Sequence, residues 1–314
     1  MRGPLNVVIL AAGFGSRMKS DRHKMLHEIA GVPMVQLVIE AARALDPDRI
    51  VLVVGHAAEQ VRTAMADQEV EFVHQAEQLG TAHAFLQAAD LLEGAAGRLL
   101  VLNGDGALIT AGTLRTLEAA LPADGMALLT ARVPDPTGLG RVVKGPDGLV
   151  ERTVEHKDAS EAELRLDEIV VGTYLFDRRG FEFARGLDND NAAGEYYITD
   201  LIAAYRAAGL PVTTADTPLD EYGGVNNRSQ LADAERIMQD RLRQEWLLKG
   251  VTMHAPETVF IERSVVLEPD SVLEPFVILR GNTRVGRGAR VGSHSVLTDR
   301  EVAAGESVAP HSHL

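Results

Sequence analysis

A glycine-rich loop near the start of the chain has the residue types of an anion-binding site. Residues 7–18 read VVILAAGFGSRM, so a short apolar run leads directly into two glycines. We expect Gly13 and Gly15 to allow a backbone path that a Cβ would obstruct, so that consecutive N–H groups turn towards an anion. Arg17 and Lys24 add two cations just beyond the glycines. The chemistry indicated is the binding of phosphate groups.

This loop matches neither of two common phosphate-binding patterns. Met18 stands where a dinucleotide fingerprint needs its last glycine, and the Gly-Lys-Ser/Thr of a Walker A loop is missing. A Gly-x-Gly pair alone is more typical of a plain tight turn, so the surrounding sequence has to decide.

The elements that would hold such a loop follow an alternating pattern. Predicted strands cover residues 6–11, 49–54, 70–74 and 98–102, and predicted helices cover residues 33–45, 59–65 and 81–92. This alternation predicts an α/β fold with a Rossmann-like, mostly parallel sheet and helices on both faces. Ligands of such sheets bind at the carboxyl ends of the strands, which places the expected site in the loops 11–18, 74–81 and 103–107.

The segments after this alternation have different patterns. Residues 127–176 are β-rich and irregular, with turn signals at 134–140 and 145–148, and we interpret them as an insertion that covers one side of the cleft. A helix is expected over Ser229–Lys249, with Ser229 as its capping residue and Gly250 after its last turn. The chain therefore divides into a first domain (1–228), a linker helix (229–250) and a third part (251–314).

A six-residue repeat runs through the third part. Apolar residues recur at a spacing of six, namely at Ile261, Leu267, Leu273, Leu279, Val285, Val291, Leu297, Ala303 and Ala309. Four residues after each of the first eight comes a small or β-branched residue, except at Glu301. The pattern predicts a short left-handed parallel β-helix of about three coils, rather than an antiparallel meander. Its open ends and flat faces favour a homotrimer.

Composition excludes several classes of function. Lys and Arg total 31 against 45 Asp and Glu, so the net charge of −14 and the lack of a basic tract argue against nucleic acid as a partner. The absence of Cys excludes disulfides, zinc–thiolate sites, iron–sulfur clusters and a Cys nucleophile. No run approaches the ~20 apolar residues of a membrane span, and no signal peptide is recognisable. We expect no membrane partner and a cytoplasmic location.

The glycine loop also has a recognisable family pattern. Residues 10–18 (LAAGFGSRM) with Lys24 resemble the L-x2-G-x-G-[ST]-R-M-x5-K motif of sugar nucleotidyltransferases. Within that superfamily, five further stretches resemble the bacterial N-acetylglucosamine-1-phosphate uridylyltransferases: HQAEQLGTAHA (74–84), NGD (103–105), VEHKDA (154–159), GEYYITD (194–200) and GVNNR (224–228). The resemblance covers essentially the whole chain and implies that residues 1–228 form a nucleotidyltransferase domain.

The resemblance implies a reaction and a set of roles. A sugar-1-phosphate oxygen would attack the α-phosphorus of UTP and release pyrophosphate, so UTP and a sugar-1-phosphate are the expected partners. Arg17, Lys24 and Asp105 would be the catalytic residues, with the two cations gripping the triphosphate. The nucleotide-binding residues would be Ala11, Ala12, Gly13, Gly15, Gln75, Gly80 and Thr81. Gln75 suits uracil because this base offers both a donor and acceptors, which an amide can match.

A metal ion and the sugar are assigned in the same way. Asp105 and Asn226 would bind Mg²⁺, a hard cation that prefers oxygen ligands. Taken alone, Asp105 is better explained as an Asx-type cap after a strand, and only its combination with Asn226 and the glycine loop favours the metal. Gly140 and Glu155 would contact the sugar.

One departure from the family pattern concerns sugar choice. Val170 stands in EIVVG (168–172), where the uridylyltransferases have an Asn that contacts the sugar. Because Val cannot make that hydrogen bond, we expect relaxed or altered sugar choice. Two alternatives stay open, namely another base or sugar on the same fold, such as glucose-1-phosphate, and a non-catalytic relative that binds a sugar nucleotide and regulates a partner.

The length of the β-helix carries a further expectation. Bifunctional relatives have a longer β-helix whose later coils carry acetyl transfer, and this sequence ends at Leu314. We therefore expect no acetyltransferase activity.

Overall fold

The boundary between the two units of the fold is crossed three times by the chain. The computed structural model describes residues 3–92, 94–95, 97–191 and 193–314. The first unit comprises the residues up to Leu26 together with Met34–Asn226, and the second comprises His27–Pro33 and Asn227–Leu314. The predicted three-part division at residues 228 and 250 stays a prediction.

The strands and helices follow in chain order. The first eleven strands are β1 (Leu5–Ala11), β2 (Glu28–Ile29), β3 (Val32–Pro33), β4 (Arg49–Val54), β5 (Glu71–His74), β6 (Arg98–Asn103), β7 (Met126–Arg132), β8 (Arg141–Lys144), β9 (Val150–Val154), β10 (Glu168–Phe176) and β11 (Val212–Asp216). The helices are α1 (Met34–Arg43), α2 (Ala58–Ala64), α3 (Thr81–Leu86), α4 (Ala89–Leu92), α5 (Ala111–Ala120), α6 (Gly180–Arg185), α7 (Leu201–Ala207) and α8 (Arg228–Leu248). No described helix is both long enough and apolar enough to span a membrane.

The first unit is built on a mostly parallel sheet. Its strand order is β11-β7-β10-β6-β1-β4-β5, and along this path only β10 runs antiparallel to its neighbours. The expectation that residues 127–176 form an insertion is therefore wrong for its two long strands, since β7 and β10 lie inside the central sheet. Only the hairpin β8–β9 lies off this path, attached to β10 at Ile169.

Helices cover both faces of this sheet, as the alternating pattern predicts. Every residue of β1 is buried, because its side chains point alternately into two apolar layers. Val8 and Leu10 pack in a core that includes residues of α3, α4, α6 and α7. Val7 and Ile9 pack in a second core with residues of α1, α2 and α5. The buried β1 thus carries the glycine loop out of the centre of the sheet.

The predicted helix over residues 81–92 is interrupted, so that expectation needs correction. The chain turns between α3 and α4, where the side-chain amide of Gln87 donates to the carbonyl of His83 at 3.0 Å. The Gln87 N–H donates to Ala84 O at 3.2 Å, and the Ala88 N–H donates to Phe85 O at 3.1 Å. These tighter bonds replace the regular ladder and end the first helix after Leu86.

The N-cap of the long helix α8 lies two residues before the predicted one. Asn227 is the N-cap, and its side-chain oxygen accepts from the Gln230 N–H at 2.9 Å. Ser229 lies inside the first turn, so its assignment as the cap is wrong. Gly250 follows the helix with φ +90°, a conformation that suits glycine after a helix end.

The second unit contains the expected short left-handed β-helix. Its strands are β12 (Thr252–Met253), β13 (Phe260–Ile261), β14 (Val266–Leu267), β15 (Val272–Leu273), β16 (Ile278–Arg280), β17 (Arg284–Val285), β18 (Arg290–Val291), β19 (Val296–Thr298), β20 (Glu301–Val302) and β21 (Ser307–Val308). They stack into three parallel sheets of four, three and three strands. The apolar residues of the repeat from Ile261 to Leu297 fill the interior.

The six-residue repeat slips by one residue in the last coil. Leu279 pairs with Leu297, eighteen positions on, whereas Val285 pairs with Val302 and Val291 pairs with Val308, seventeen positions on. The corner between β19 and β20 has two residues, 299 and 300, whereas the corner between β16 and β17 has three, 281–283.

The slip changes which residues fill the interior of this coil. Val302 and Val308 are buried, and the predicted interior residues Ala303 and Ala309 are exposed. The slip also explains why Glu301 breaks the pattern of small residues.

A short hairpin from the N-terminal part of the chain completes the second unit. Strands β2 and β3 enclose a turn in which Ala30 and Gly31 both have positive φ, at 50° and 77°. The Ala30 N–H donates to Glu235 of α8 at 2.7 Å, and its carbonyl accepts from the Arg263 N–H at 2.9 Å. Residues 27–33 therefore belong to the helix and β-helix by their hydrogen bonds.

Candidate active site

The glycine loop makes room for a lysine. Gly15 has φ +62°, and a Cβ at this position would lie 2.5 Å from the Cβ of Lys24. The expectation of an obstructing Cβ therefore holds for Gly15. It is wrong for Gly13 as regards the described protein atoms, because a Cβ there would meet nothing within 4 Å and Gly13 is exposed. Among the described protein atoms, the space beside Gly13 is therefore unfilled, whereas Lys24 fills the space beside Gly15.

Four polar side chains converge beside this loop. The Lys24 Nζ donates to Asp105 Oδ2 at 2.5 Å and to Asn226 Oδ1 at 2.7 Å. The Arg17 guanidinium donates to the same Asn226 oxygen at 2.9 Å. Lys24 is 8% exposed, whereas Arg17 is exposed. All the residues predicted for catalysis and for the metal are thus brought together within hydrogen-bond distance.

Backbone contacts hold Asp105 at the carboxyl edge of the sheet. It follows β6, and the preceding Gly104 N–H donates to the carbonyl of Leu10 on β1 at 2.9 Å. The Asp105 carbonyl accepts from the Val225 N–H at 3.1 Å. A Cβ on Gly224 would lie 3.1 Å from Asp105 Oδ1, so the glycine allows the 224–226 segment to approach the carboxylate closely.

The oxygens of Asp105 and Asn226 have the arrangement of a cation site. Both lie within 2.7 Å of one positively charged atom, Lys24 Nζ, so they converge on a single point. Among the described residues, no group of three or more His, Cys, Asp or Glu side chains could hold a metal ion. A divalent cation here would have two protein ligands, and phosphate oxygens and water would complete its shell.

The residues predicted to hold the base lie in the loop after β5. Gln75 is buried, and its side-chain Nε2 lies 3.3 Å from Gly80 O and 3.0 Å from His83 Nδ1. Gly80 has φ +109°, and a Cβ there would overlap the backbone of Tyr196. Thr81 Oγ1 accepts from the Ile198 N–H at 3.0 Å, so this side chain fastens the 196–198 segment.

The loops after β1 and β4 meet beside the base residues. The carbonyl of Ala12 accepts from the His56 N–H at 3.4 Å. A Cβ on Gly55 would lie 2.7 Å from that carbonyl and 2.7 Å from Gln78 Nε2. Ala11, the last residue of β1, and Ala12 are both buried. Because an alanine side chain has no polar atom, these residues could contact a polar ligand only through their backbone groups.

The residues predicted for the sugar form a second group around β10. A Cβ on Gly140 would lie 3.4 Å from Glu155 Oε1, so these two residues are neighbours. Burial raises the pKa of the Tyr174 hydroxyl on β10, and the charge of Glu155 raises it further. Val170 is half-buried on the same strand and packs against the apolar core. The register of β10 shifts between Val170 and Tyr174.

One polar contact in the loop predicted to bind the base was not anticipated from the sequence. The motif QLGTAHA contains His83, which we assigned no functional role, yet its ring contacts the amide of Gln75. Gln75 and His83 are eight residues apart in the sequence. This spacing alone does not predict a contact, because α3 brings the ring towards Gln75 only in the folded chain.

Comparisons with known proteins show the family of the chain. The model of the MobA-like NTP transferase domain matches residues 7–166. The chain is 46% identical over 309 residues to the bifunctional protein GlmU of Thermus thermophilus, covering 97% of this chain and 67% of that protein. The chain belongs to the GlmU family. Members from Ralstonia nicotianae and Streptococcus pyogenes serotype M18 are 42% and 43% identical over 99% and 98% of this chain, and the matches cover 68% and 71% of those proteins.

Membership of the GlmU family settles the class of enzyme. The protein is a nucleotidyltransferase of the UDP-N-acetylglucosamine diphosphorylase type, with a nucleotide and a sugar phosphate as its substrate classes. The chain spans about two thirds of the length of these GlmU relatives.

Proposed function

We propose that the protein transfers UMP from UTP to N-acetylglucosamine-1-phosphate in a Mg²⁺-dependent reaction that yields UDP-N-acetylglucosamine and pyrophosphate. The observation that carries this proposal is the convergence of Lys24, Arg17, Asp105 and Asn226 beside the open glycine loop. Both substrates carry negatively charged phosphate groups, so joining them requires positive charge at the point where they meet. Two cationic side chains and two oxygen ligands for a metal ion meet this requirement.

The reaction is a direct displacement at the α-phosphorus. A phosphate oxygen of the sugar-1-phosphate forms the new bond to the α-phosphorus. The bond from the α-phosphorus to the oxygen that joins it to the β-phosphorus breaks, and this oxygen leaves with pyrophosphate. No nucleophilic side chain takes part, so the chain contributes position and charge. Arg17 and Lys24 neutralise the triphosphate and the charge that develops on the leaving group.

Asp105 and Asn226 are the residues that would hold the metal ion. Mg²⁺ supplies a compact positive charge for phosphate oxygens when it is bound. The open side of the loop at Gly13 leaves room for phosphate groups beside the backbone N–H groups. Gln75, Gly80 and Thr81 would hold the uracil, and Gly140 and Glu155 the sugar.

A second candidate is the same transfer with a different sugar phosphate. The observation that favours it is Val170, whose apolar side chain is half-buried on the strand that also carries Tyr174. Val170→Asn would add an amide at this place, and we expect it to sharpen the preference for N-acetylglucosamine-1-phosphate over glucosamine-1-phosphate. Equal discrimination by both proteins would exclude a role for Val170 in sugar choice.

The deciding experiment is pyrophosphate release by the purified protein with Mg²⁺, four nucleoside triphosphates and a panel of sugar-1-phosphates. Release with UTP and N-acetylglucosamine-1-phosphate supports the proposal, and release only with another pair moves the substrate. Asp105→Ala should abolish release, and Asp67→Ala, which removes an exposed carboxylate, should not. If a folded protein that binds UTP releases no pyrophosphate with any of these substrates, its role would be non-catalytic.

A further inference from the structure

The side-chain amide of Gln75 is held in one orientation by two neighbours. Its Nε2 lies 3.3 Å from the carbonyl oxygen of Gly80 and 3.0 Å from Nδ1 of His83. Only an N–H can donate to a carbonyl, so the nitrogen has to face Gly80. Turned over, the amide would place two oxygens against each other in a buried position, which is unfavourable.

This orientation fixes the role of the His83 ring. With one N–H on Gly80, the second N–H of Gln75 faces Nδ1, which therefore has to accept. The neutral ring then carries its hydrogen on Nε2, which lies 3.2 Å from the amide of Gln87. Gln87 also presents an N–H to this ring, so the two amides compete for the acceptor nitrogen. The contact with Gln75 determines which ring nitrogen accepts. Gln75 is 3% exposed, so an N–H without a partner would be costly there, whereas Gln87 is half-buried and its amide can bond to water.

The same orientation leaves one atom of Gln75 for a ligand. Among the described residues, none donates a hydrogen bond to Oε1 of Gln75. An oxygen held this way accepts a hydrogen bond and cannot donate one. It matches a base with an N–H on its pairing edge, as at N3 of uracil, and opposes cytosine, whose N3 is an acceptor.

We propose that His83 is a positioning residue that fixes the amide of Gln75 and so favours a uracil-type base over a cytosine-type base. The inference rests on the proposed function, in which UTP is the nucleotide substrate. His83 acts only through Gln75 and does not touch the ligand. A purely structural role of His83 would affect both nucleotides equally.

Two substitutions with the same number of side-chain heavy atoms separate these roles. His83→Asn places an acceptor oxygen close to the position of Nδ1, and His83→Leu is branched at the same atom but has no acceptor. The dissociation constants of UTP and CTP with Mg²⁺ are measured by calorimetry, and kcat/KM is measured for both with N-acetylglucosamine-1-phosphate. We expect His83→Leu to reduce the preference for UTP over CTP about tenfold, the value of one hydrogen bond. We expect His83→Asn to retain most of it.

The results distinguish this inference from the proposed function. Unchanged preference in a folded His83→Leu protein, or equal losses in both variants, would overturn the role of His83 while UTP turnover by the wild type stands. Wild-type protein that uses another nucleotide would overturn the proposed function itself.

A measurement on the unmutated protein is independent of folding in the variants. Nitrogen-15 NMR of the histidine rings should show His83 with its hydrogen on Nε2. A hydrogen on Nδ1 would contradict the proposal.

Discussion

At the scale of single residues, the site depends on charges that neutralise one another at short range. Lys24 is almost fully buried and has two oxygens within 2.7 Å of its ammonium group. Burying a charged group is unfavourable unless it is paired and hydrogen-bonded, so removal of any member leaves the others uncompensated. The same side chains would therefore serve both the fold of the loop and the chemistry.

Lys24→Met tests whether Lys24 contributes more to the reaction than an ordinary surface lysine does. We expect kcat/KM for UTP to fall by about 100-fold or more, because a cation that stabilises developing charge is lost. Lys19→Met removes an exposed lysine from the same segment and is the control. Pyrophosphate release checks both variants, and equal activity of the two would show that Lys24 does not act on the substrates.

Asp177 shows how hydrogen bonds can outweigh burial. Burial alone would raise its pKa, but donors from Arg179, the Gly125 N–H and the Tyr205 hydroxyl hold the pKa below its ordinary value. These groups lie 2.8–3.0 Å from its oxygens. A carboxyl whose pKa is lower in the folded than in the unfolded state stabilises the fold above the unfolded value, and that contribution is lost as the pH falls through the folded value.

Asp177→Asn should therefore change how stability responds to acid. We expect the wild type to lose more free energy of unfolding than the variant as the pH falls below about 4, the ordinary aspartate pKa. At neutral pH the variant should be less stable by about 1–3 kcal/mol, because charged hydrogen bonds are lost. Urea unfolding over a pH series measures both effects. Parallel curves for the two proteins would contradict the assignment.

At the scale of elements, local signals mark where structure begins, but neighbouring candidates compete. Asn227 and Ser229 are both good capping residues by type. The side chain that reaches a free N–H of the first turn is that of Asn227. Which of two such residues caps the helix depends on where the preceding loop delivers the chain, and that is not visible in a short sequence window.

The cap assignment can be tested with a matched pair of substitutions. Asn227→Ala should lower the free energy of unfolding by about 1 kcal/mol, because the Gln230 N–H loses its partner. Ser229→Ala should change it by less than about 0.5 kcal/mol, since alanine is favourable inside a helix. Chemical denaturation gives both values, and the reverse order would restore Ser229 as the cap.

The slip in the last coil gives a second test at this scale. Val302→Asp should destabilise the protein by several kcal/mol, because it buries a carboxylate in an apolar interior. Ala303→Asp places the same group on an exposed neighbour and should be tolerated. Thermal unfolding compares the two. Greater damage from Ala303→Asp would mean that the six-residue repeat continues without interruption.

The sequence predicted much of this architecture for identifiable physical reasons. Strands β1, β4 and β6 were recognisable because buried parallel strands are mostly apolar, and the coils up to Leu297 because their period is regular. The strands β7 and β10 were not recognised as part of the sheet. The slip was hidden, since Ala303 and Ala309 are apolar enough to continue the pattern. The roles expected of Lys24 and Asp105 came from the resemblance of their motifs to those of sugar nucleotidyltransferases. The link from His83 to Gln75 was not, because it depends on the turn at Gly80.

At the scale of the whole molecule, the proposal of a homotrimer can be tested directly. The β-helix presents flat strand faces, and such surfaces are often covered by association with other copies. Sedimentation velocity at micromolar concentration should give three times the chain mass of 33.8 kDa. A single species at the mass of one chain would exclude the trimer under those conditions and leave the fold unaffected.

The hairpin at residues 27–33 has a consequence for attempts to dissect the protein. Its Ile29 and Ala30 are buried, and Ala30 is hydrogen-bonded to Glu235 of α8 and to the Arg263 N–H of the β-helix. A catalytic fragment ending near residue 226 would keep this hairpin and lose both partners of Ala30. Such a truncation would thus leave an apolar segment without these partners, and the segment begins three residues after Lys24. A well-behaved minimal enzyme should therefore be sought by redesigning that hairpin as well as by shortening the chain.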